Sequence, residues 1–285
     1  MKFLIENYAG YDSTQALYFH KHINDYEEHS CVIRPNNVSL FDSFDMINPD
    51  VYISSANKLS KDALLYIKQN QDKDIKLVIC VDGLSADDVQ SLDDVIKKNG
   101  VNCHFFFTSG DISSKIKTRI VQIRNGADIN LEPSLKIDYN IEKAIFVNSA
   151  SNIRNYGGTF HVISCNPNFK DSADFYLPIT MLSSIYDRYE EIIFTEIREN
   201  LSQCFFDAIY RGKRVYYDIL DEGQSHKADE IINSALKVGN SLNYNNPNRL
   251  MDFENIKKYI KEKNSSINRT KTLLSQLPQK VKKDA

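Results

Sequence analysis

The sequence has no Trp, and only 10 Gly and 7 Pro in 285 residues. So little glycine and proline excludes a collagen-like chain, a linker-rich chain and a glycine-rich repeat. The five cysteines, Cys31, Cys80, Cys103, Cys165 and Cys204, are odd in number, stand far apart and form no CxxC pair. That spacing supplies neither a disulfide framework nor a metal cluster, and it fits buried thiols in a reducing compartment. No stretch approaches the roughly 18 uninterrupted apolar residues of a membrane span, and Lys2 and Glu6 interrupt the amino terminus. The expectation is a cytoplasmic protein with no signal peptide or anchor. Also missing are a P-loop, a Gly-x-Ser-x-Gly elbow and a full GxGxxG turn, so a P-loop enzyme and an α/β-hydrolase have no support and the classical dinucleotide fingerprint is absent.

What is present is a chain with 42% apolar residues, enough for a packed core and long enough for two domains. Its formal net charge of −3 is unevenly spread. Residues 257–285 hold 9 Lys+Arg and 2 Asp+Glu, a net +7, which leaves 26 against 36, or −10, for the first 256 residues.

Short β-rich runs alternate with helical periodicity. Strands are predicted at Lys2–Asn7, Ser30–Arg34, Val51–Ile53, Lys76–Val81 and Val101–Phe107, and helices at Ser13–Tyr26, Lys58–Asn70 and Ala86–Asn99. In the first helix Ala16, Leu17, Phe19, His20 and Ile23 share the apolar spacing, and Asp12 or Ser13 can cap it. A less regular stretch follows, with a strand near Arg119–Ile123. The cadence then restarts with strands at Lys143–Asn148, Phe160–Ser164, Glu191–Phe194 and Arg214–Tyr217 and a helix over Leu201–Arg211. Helices are predicted over Lys227–Val238, Asn248–Lys263 and Ile267–Leu277. This alternation means parallel sheets with helical crossovers. The simplest organisation is two Rossmann-like βα domains, 1–140 and 141–265, with a basic helical tail over 266–285.

In an open parallel sheet, ligands bind beyond the carboxyl ends of the strands, where loops gather and helix amino termini point free N–H groups at anions. The rule selects Tyr8, Gly10 and Tyr11 after the first strand, then Ser54-Ser55, Asp82-Gly83 and Thr108-Ser109-Gly110. In the second half it selects Asn148 and Ser149 through Arg154, Ser164-Cys165-Asn166, and Thr195 through Ser202. Asp82 combines a strand-end position with the chemistry of a general base. His104 falls inside a strand, and Asp72-Lys73-Asp74, although it spells Asp-x-Asp, precedes a strand instead of ending one.

The most specific local pattern is Glu199-x7-Asp207 followed by Ala208-x3-Gly212-x2-Val215. An acid at a helix start can face a donor sugar, and one two turns on can accept both ribose hydroxyls. This pattern resembles the donor-site element of GT-B glycosyltransferases, with Asp207 where that family usually has Glu and Arg214 where it often has Pro. With Phe146-Val147-Asn148-Ser149, Arg154 and Glu191-Ile192-Ile193-Phe194, the chain is similar to small glycosyltransferases of the spore-maturation type and to bacteriophage-encoded ones.

The resemblance implies an α/β, GT-B-like fold: two Rossmann-like domains whose parallel sheets face a central cleft. It implies a nucleotide-diphosphate-sugar co-substrate, taken as a UDP-sugar, held by the second domain, with the acceptor held by the first. No tightly bound cofactor and no metal are expected. Glu199 would contact the sugar and Asp207 the ribose. Arg154 and the backbone N–H groups near Asn200 and Ser202 would meet the diphosphate, whose negative charge grows as the glycosidic bond breaks. Asn148, Ser149 and Thr195 complete the donor loops, Asp82 is the acceptor-side base, and Tyr8, Gly10 and Tyr11 form the acceptor-side loop.

The basic tail has three readings: a solvated face built from Lys257, Lys258, Lys261 and Lys263, a helix that docks on the first domain through Ile267, Leu273, Leu274 and Leu277, or attraction to a polyanion. The phage-type resemblance and the tail together point to a hydroxymethyl pyrimidine in DNA as acceptor, in the host cytoplasm. A saccharide or small-molecule acceptor, or a non-catalytic binding module with the same two-domain shell, are the alternatives.

Overall fold

The strongest apolar runs in the chain, Val51–Ser55 (β3) and Lys76–Cys80 (β4), are buried almost residue by residue, as central strands of a sheet covered on both faces must be. The computed structural model describes residues 1–7, 13–110, 112, 116–123, 126–127, 143–146, 160–164, 171, 173–177, 186, 188–194, 203–217 and 253–278. The chain divides into two units: Met1–Arg124 with Arg269–Ala285, and Asn125–Asn268.

In the first unit, β3 and β4 join Lys2–Ile5 (β1), Ser30–Ile33 (β2), Cys103–Thr108 (β5) and Ile120–Gln122 (β6) in one six-stranded sheet. Its order is β2-β1-β3-β4-β5-β6, and every pairing is parallel. Alternate side chains go to opposite faces. Phe3, Ile5, Ile53, Val78, Phe105 and Phe107 pack with Phe19 and Ile23 of helix α1 (Ser13–Asn24). Leu4, Tyr52, Leu77, Ile79 and Phe106 pack with three helices, α2 (Leu40–Ile47), α3 (Lys61–Gln69) and α4 (Ala86–Lys98). Each of those three helices starts on a serine: Ser39, Ser60 and Ser85 accept from a backbone N–H one turn on, and Ser85 with Asp88 closes a full capping box.

The second unit repeats the plan with Lys143–Phe146 (β7), His161–Ser164 (β8), Phe175–Tyr176 (β9), Glu191–Phe194 (β10) and Arg214–Tyr217 (β11) in the order β11-β10-β7-β8-β9, again parallel throughout. Counted within this unit the order is 3-2-1-4-5, the Rossmann order. The first sheet runs 2-1-3-4-5-6 instead, because its crossovers reverse direction one strand earlier. The two units share a doubly wound plan and not a strand order, which refines the expectation of two Rossmann-like halves. Helix α5 (Gln203–Tyr210) precedes β11, and α6 (Phe253–Lys263) and α7 (Ser266–Ser275) close the described chain.

Several elements differ from the sequence reading. Helix α2 and strand β9 were not predicted; α2 is eight residues long and lies between the turn formers Pro35-Asn36-Asn37 and Asn48-Pro49. Its stop is visible in hindsight, since Asn48 adopts φ 49° and donates its backbone N–H to Phe44 O. Helix α1 ends at Asn24, whose side chain accepts from Cys31 N and donates to Cys31 O, occupying the backbone of edge strand β2. On α1, His22 is the buried histidine and pairs with Asp25, whereas His20 is half-buried; the apolar spacing had selected His20. The helix predicted over Lys227–Val238 lies outside the described residues.

The tail resolves into concrete packing. Leu273 and Leu277 are buried in the cluster with Phe3, Phe19 and Phe107, and Leu274 lies partly buried against it. The Arg269 guanidinium sits 5.2 Å above the Phe19 ring, and Arg119 Nη2 donates to Gln276 O at 3.2 Å, just past the end of α7. Inside the second unit, Ala127 N donates to Asn264 O and Ser266 N to Ala127 O, at 2.7 and 2.8 Å. Gly126 lies so close that a Cβ there would fall 2.2 Å from Asn264 O, so only glycine fits without moving backbone. The exposed cations of α6 are Lys258, Lys261 and Lys263. Among the described residues no helix is long and apolar enough to cross a membrane.

His104, on β5, hydrogen-bonds the Gln276 backbone, and among the described residues its Nε2 is buried without a hydrogen-bond partner. Burial, then Lys76 and to a lesser degree Arg119, push its pKa below the ordinary 6.5, against the opposing effects of that bond and Asp74. A base that is harder to protonate in the folded state stabilises the fold fully above pH 6.5 and progressively less as pH falls towards its folded pKa. Stability to urea should therefore fall as pH drops below about 6.5, and His104→Gln should flatten that part of the profile. An identical pH profile in the two proteins would remove His104 from the account.

Candidate functional site

Parallel pairing puts all strand carboxyl ends of a sheet on one edge, and the pair where the order reverses leaves a gap into which a ligand fits. In the second unit that pair is β7 and β10. Phe146 and Phe194, their last residues, are register partners, so the two chains leave the sheet side by side. Asn148, Ser149 and Arg154 follow β7 in sequence, and Thr195, Glu199, Asn200 and Ser202 follow β10. Those seven residues lie outside the described residues, as do Tyr8, Gly10 and Tyr11.

Asp207 is described. It lies on α5 between the buried Phe206 and Ala208, is itself buried and has an interaction partner. Its backbone carbonyl accepts from Arg211 N, and Gly212, at φ 73°, ends the helix before β11. The helix, glycine and strand that the spacing predicted are all in place around this carboxylate.

Asp82, at the carboxyl end of β4, is half-buried, and three donors from the end of β5 meet its Oδ1: Thr108 Oγ1 at 3.0 Å, Ser109 Oγ at 2.9 Å and Ser109 N. Two strand-end segments that sequence reasoning selected separately thus meet at one oxygen. This arrangement clamps the ends of β4 and β5 together. Asp72 and Asp74 belong to the turn before β4, where Asp74 pairs with Lys76 at 2.7 Å, at the opposite end of the strand from any ligand gap. The five described histidines, His20, His22, His29, His104 and His161, lie on α1, before β2, or near the starts of β5 and β8, so none stands at a carboxyl strand end. Burial pushes the Cys31 thiol up to about 12 and the Cys103 thiol higher still, so both are inert. No group of three His, Cys, Asp or Glu that could hold a metal ion occurs among the described residues.

One constellation escaped sequence reasoning. At the reversal point of the first sheet, between β1 and β3, Glu6 is buried and its Oε1 accepts from Arg34 Nε at 2.7 Å and Asn7 N at 3.1 Å, with Arg34 Nη2 at 2.6 Å. Its Oε2 accepts from Tyr52 OH at 2.7 Å. Burial first, then Glu6, pushes the Tyr52 phenol well above its ordinary value, so it stays a donor. Glu6 and Arg34 directly follow β1 and β2, so the strand-end rule could have found them had the first strand been ended two residues sooner and the second one residue sooner.

Asp82→Ala should lower stability by about 1–3 kcal/mol, because buried donors lose their acceptor, while Asp82→Asn keeps an oxygen there and should stay within about 1 kcal/mol of wild type. Urea titration measures both. Equal losses in the two variants would show that charge, and not acceptor geometry, makes the clamp.

No protein-family model matches this chain, and no curated protein matches it. Among solved structures it is similar to one described as the S. aureus MnaA-UDP co-structure, with a TM-score of 0.47 and 11% identity over 94% of this chain and 91% of that one.

Proposed function

We propose that this protein transfers a sugar from a nucleotide-diphosphate-sugar donor, taken as a UDP-sugar, to a hydroxyl acceptor, in the manner of a GT-B glycosyltransferase. The observation that carries the reading is the strand order of the second unit. Its reversal point lies at the ends of β7 and β10, and the donor-type residues follow those two strands in sequence and no others. A leaving diphosphate needs positive charge or oriented N–H donors, and Arg154 with the backbone near Asn200 and Ser202 supplies both chemistries. Glu199 is assigned to the sugar and Asp207 to the ribose. The exposed Lys258, Lys261 and Lys263 support a polyanionic acceptor, with a hydroxymethyl pyrimidine in DNA as the leading case. Asp82 is proposed as the acceptor-side base.

Calorimetry with UDP and a panel of UDP- and GDP-sugars tests the donor. Asp207→Asn should weaken nucleotide affinity about tenfold or more, the loss expected when a carboxylate that accepts two hydroxyls becomes an amide, without unfolding the protein. Unchanged affinity would remove the ribose role, and no response to any nucleotide would sink the donor reading. Labelled donor incubated with hydroxymethylated DNA, plain DNA and a glycan panel then identifies the acceptor. Label in glycan alone rejects DNA, and binding without hydrolysis or transfer favours a recognition module.

A further inference from the structure

We propose that Arg34 forms an oxyanion-binding subsite at the ligand edge of the first unit, taking a phosphate or carboxylate group of a small-molecule ligand. The site lies wholly in that unit and does not depend on the donor reading. The first sheet reverses at β1 and β3, so its ligand gap opens beyond Ile5 and Ser55. Arg34 stands at the end of the edge strand β2, with its backbone N–H bonded to Ile5 O, and its guanidinium reaches across the end of β1 to Glu6.

Three of the five guanidinium N–H groups are committed. Nε and Nη2 meet Glu6 Oε1, and Nη1 donates to Val38 O at 2.8 Å. The head group is thus held in one plane by a carboxylate that is itself fixed by Tyr52 OH and Asn7 N. The remaining N–H groups belong to Nη1 and Nη2, and the Arg34 side chain is 22% exposed against 5% for Glu6. A guanidinium with three N–H groups anchored, two more to give and a partly exposed side chain suits bidentate oxyanion recognition.

Stability alone is a poor reason for this arrangement. A largely buried ion pair rarely outperforms apolar packing of the same volume. Nearby polar groups are consistent with a wet edge: Asn7 Nδ2 donates to the exposed Asn36 at 3.0 Å. Orientation of a cation is what the pair supplies.

Side-chain and backbone 15N–1H spectra of the full chain, titrated with sodium phosphate or sodium acetate against sodium chloride of equal ionic strength, test the assignment. Saturable shifts of Arg34 Nε–H and of the Asn7 and Asn36 amides are expected, and the more effective anion distinguishes phosphate from carboxylate. Removing Arg34 alone strands a buried carboxylate, so the control is the double variant Glu6→Gln, Arg34→Met, in which the response of the Asn7 and Asn36 amides should weaken about tenfold or vanish. Arg34→Lys, which keeps charge and loses the fork, should weaken it less. No response of Arg34 to either anion, or an undiminished amide response in the double variant, overturns the subsite.

Discussion

Every strand pairing described in this protein is parallel, and that single constraint organises the rest. Parallel strands cannot be joined by tight hairpins, so each connection must cross a face of the sheet. All carboxyl ends then collect on one edge of each sheet, and the chain must reverse its winding direction once to cover both faces. The reversal leaves a gap between two neighbouring strand ends. In the second unit it falls between β7 and β10, and in the first between β1 and β3. Where chemistry can sit follows from topology before any side chain is considered.

The first unit shows how the edge is managed. Three carboxylates end up in or near its core, and each is met by several donors. Glu6 is held by Arg34 and Tyr52, and Asp82 by Thr108 and Ser109. Asp93 on α4, fully buried, accepts from Thr118 Oγ1 at 2.6 Å and pairs with Lys97. Buried charges left without such partners would cost several kcal/mol each, on the order of the net stability of a domain. Asp82 and Asp93 bind parts of the fold to one another. Glu6 instead holds a cation whose side chain is partly exposed, which adds a second candidate site at the carboxyl edge of the first sheet.

The central strands were legible in the sequence because burial on both faces turns β3, β4 and β5 into continuous apolar runs flanked by turn residues. The β7, β8, β10 and β11 runs were legible as short β-rich segments between turn residues, and the helix, glycine and strand around Asp207 followed from spacing. What was not legible depends on distance. Strand order is set by pairings between residues far apart in sequence, so nothing local distinguishes the 2-1-3-4-5-6 order from the Rossmann order. Glu6 and Arg34 meet across 28 residues, with no motif to announce them. His20 and His22 differ by two positions on one helix, and only the packed sheet beneath decides which is buried. Leu273 and Leu277 could be read as one apolar stripe, while their partners, Phe3 and Phe107, lie more than a hundred residues earlier.

The central claim is that a nucleotide diphosphate binds beyond the ends of β7 and β10. A crystal structure of the protein soaked with a UDP-sugar or UDP tests it most directly. The account predicts nucleotide density at the carboxyl edge of the second sheet, with the diphosphate between the segments that follow Phe146 and Phe194. Nucleotide bound at the amino edge of that sheet, or in the first unit instead, would contradict it.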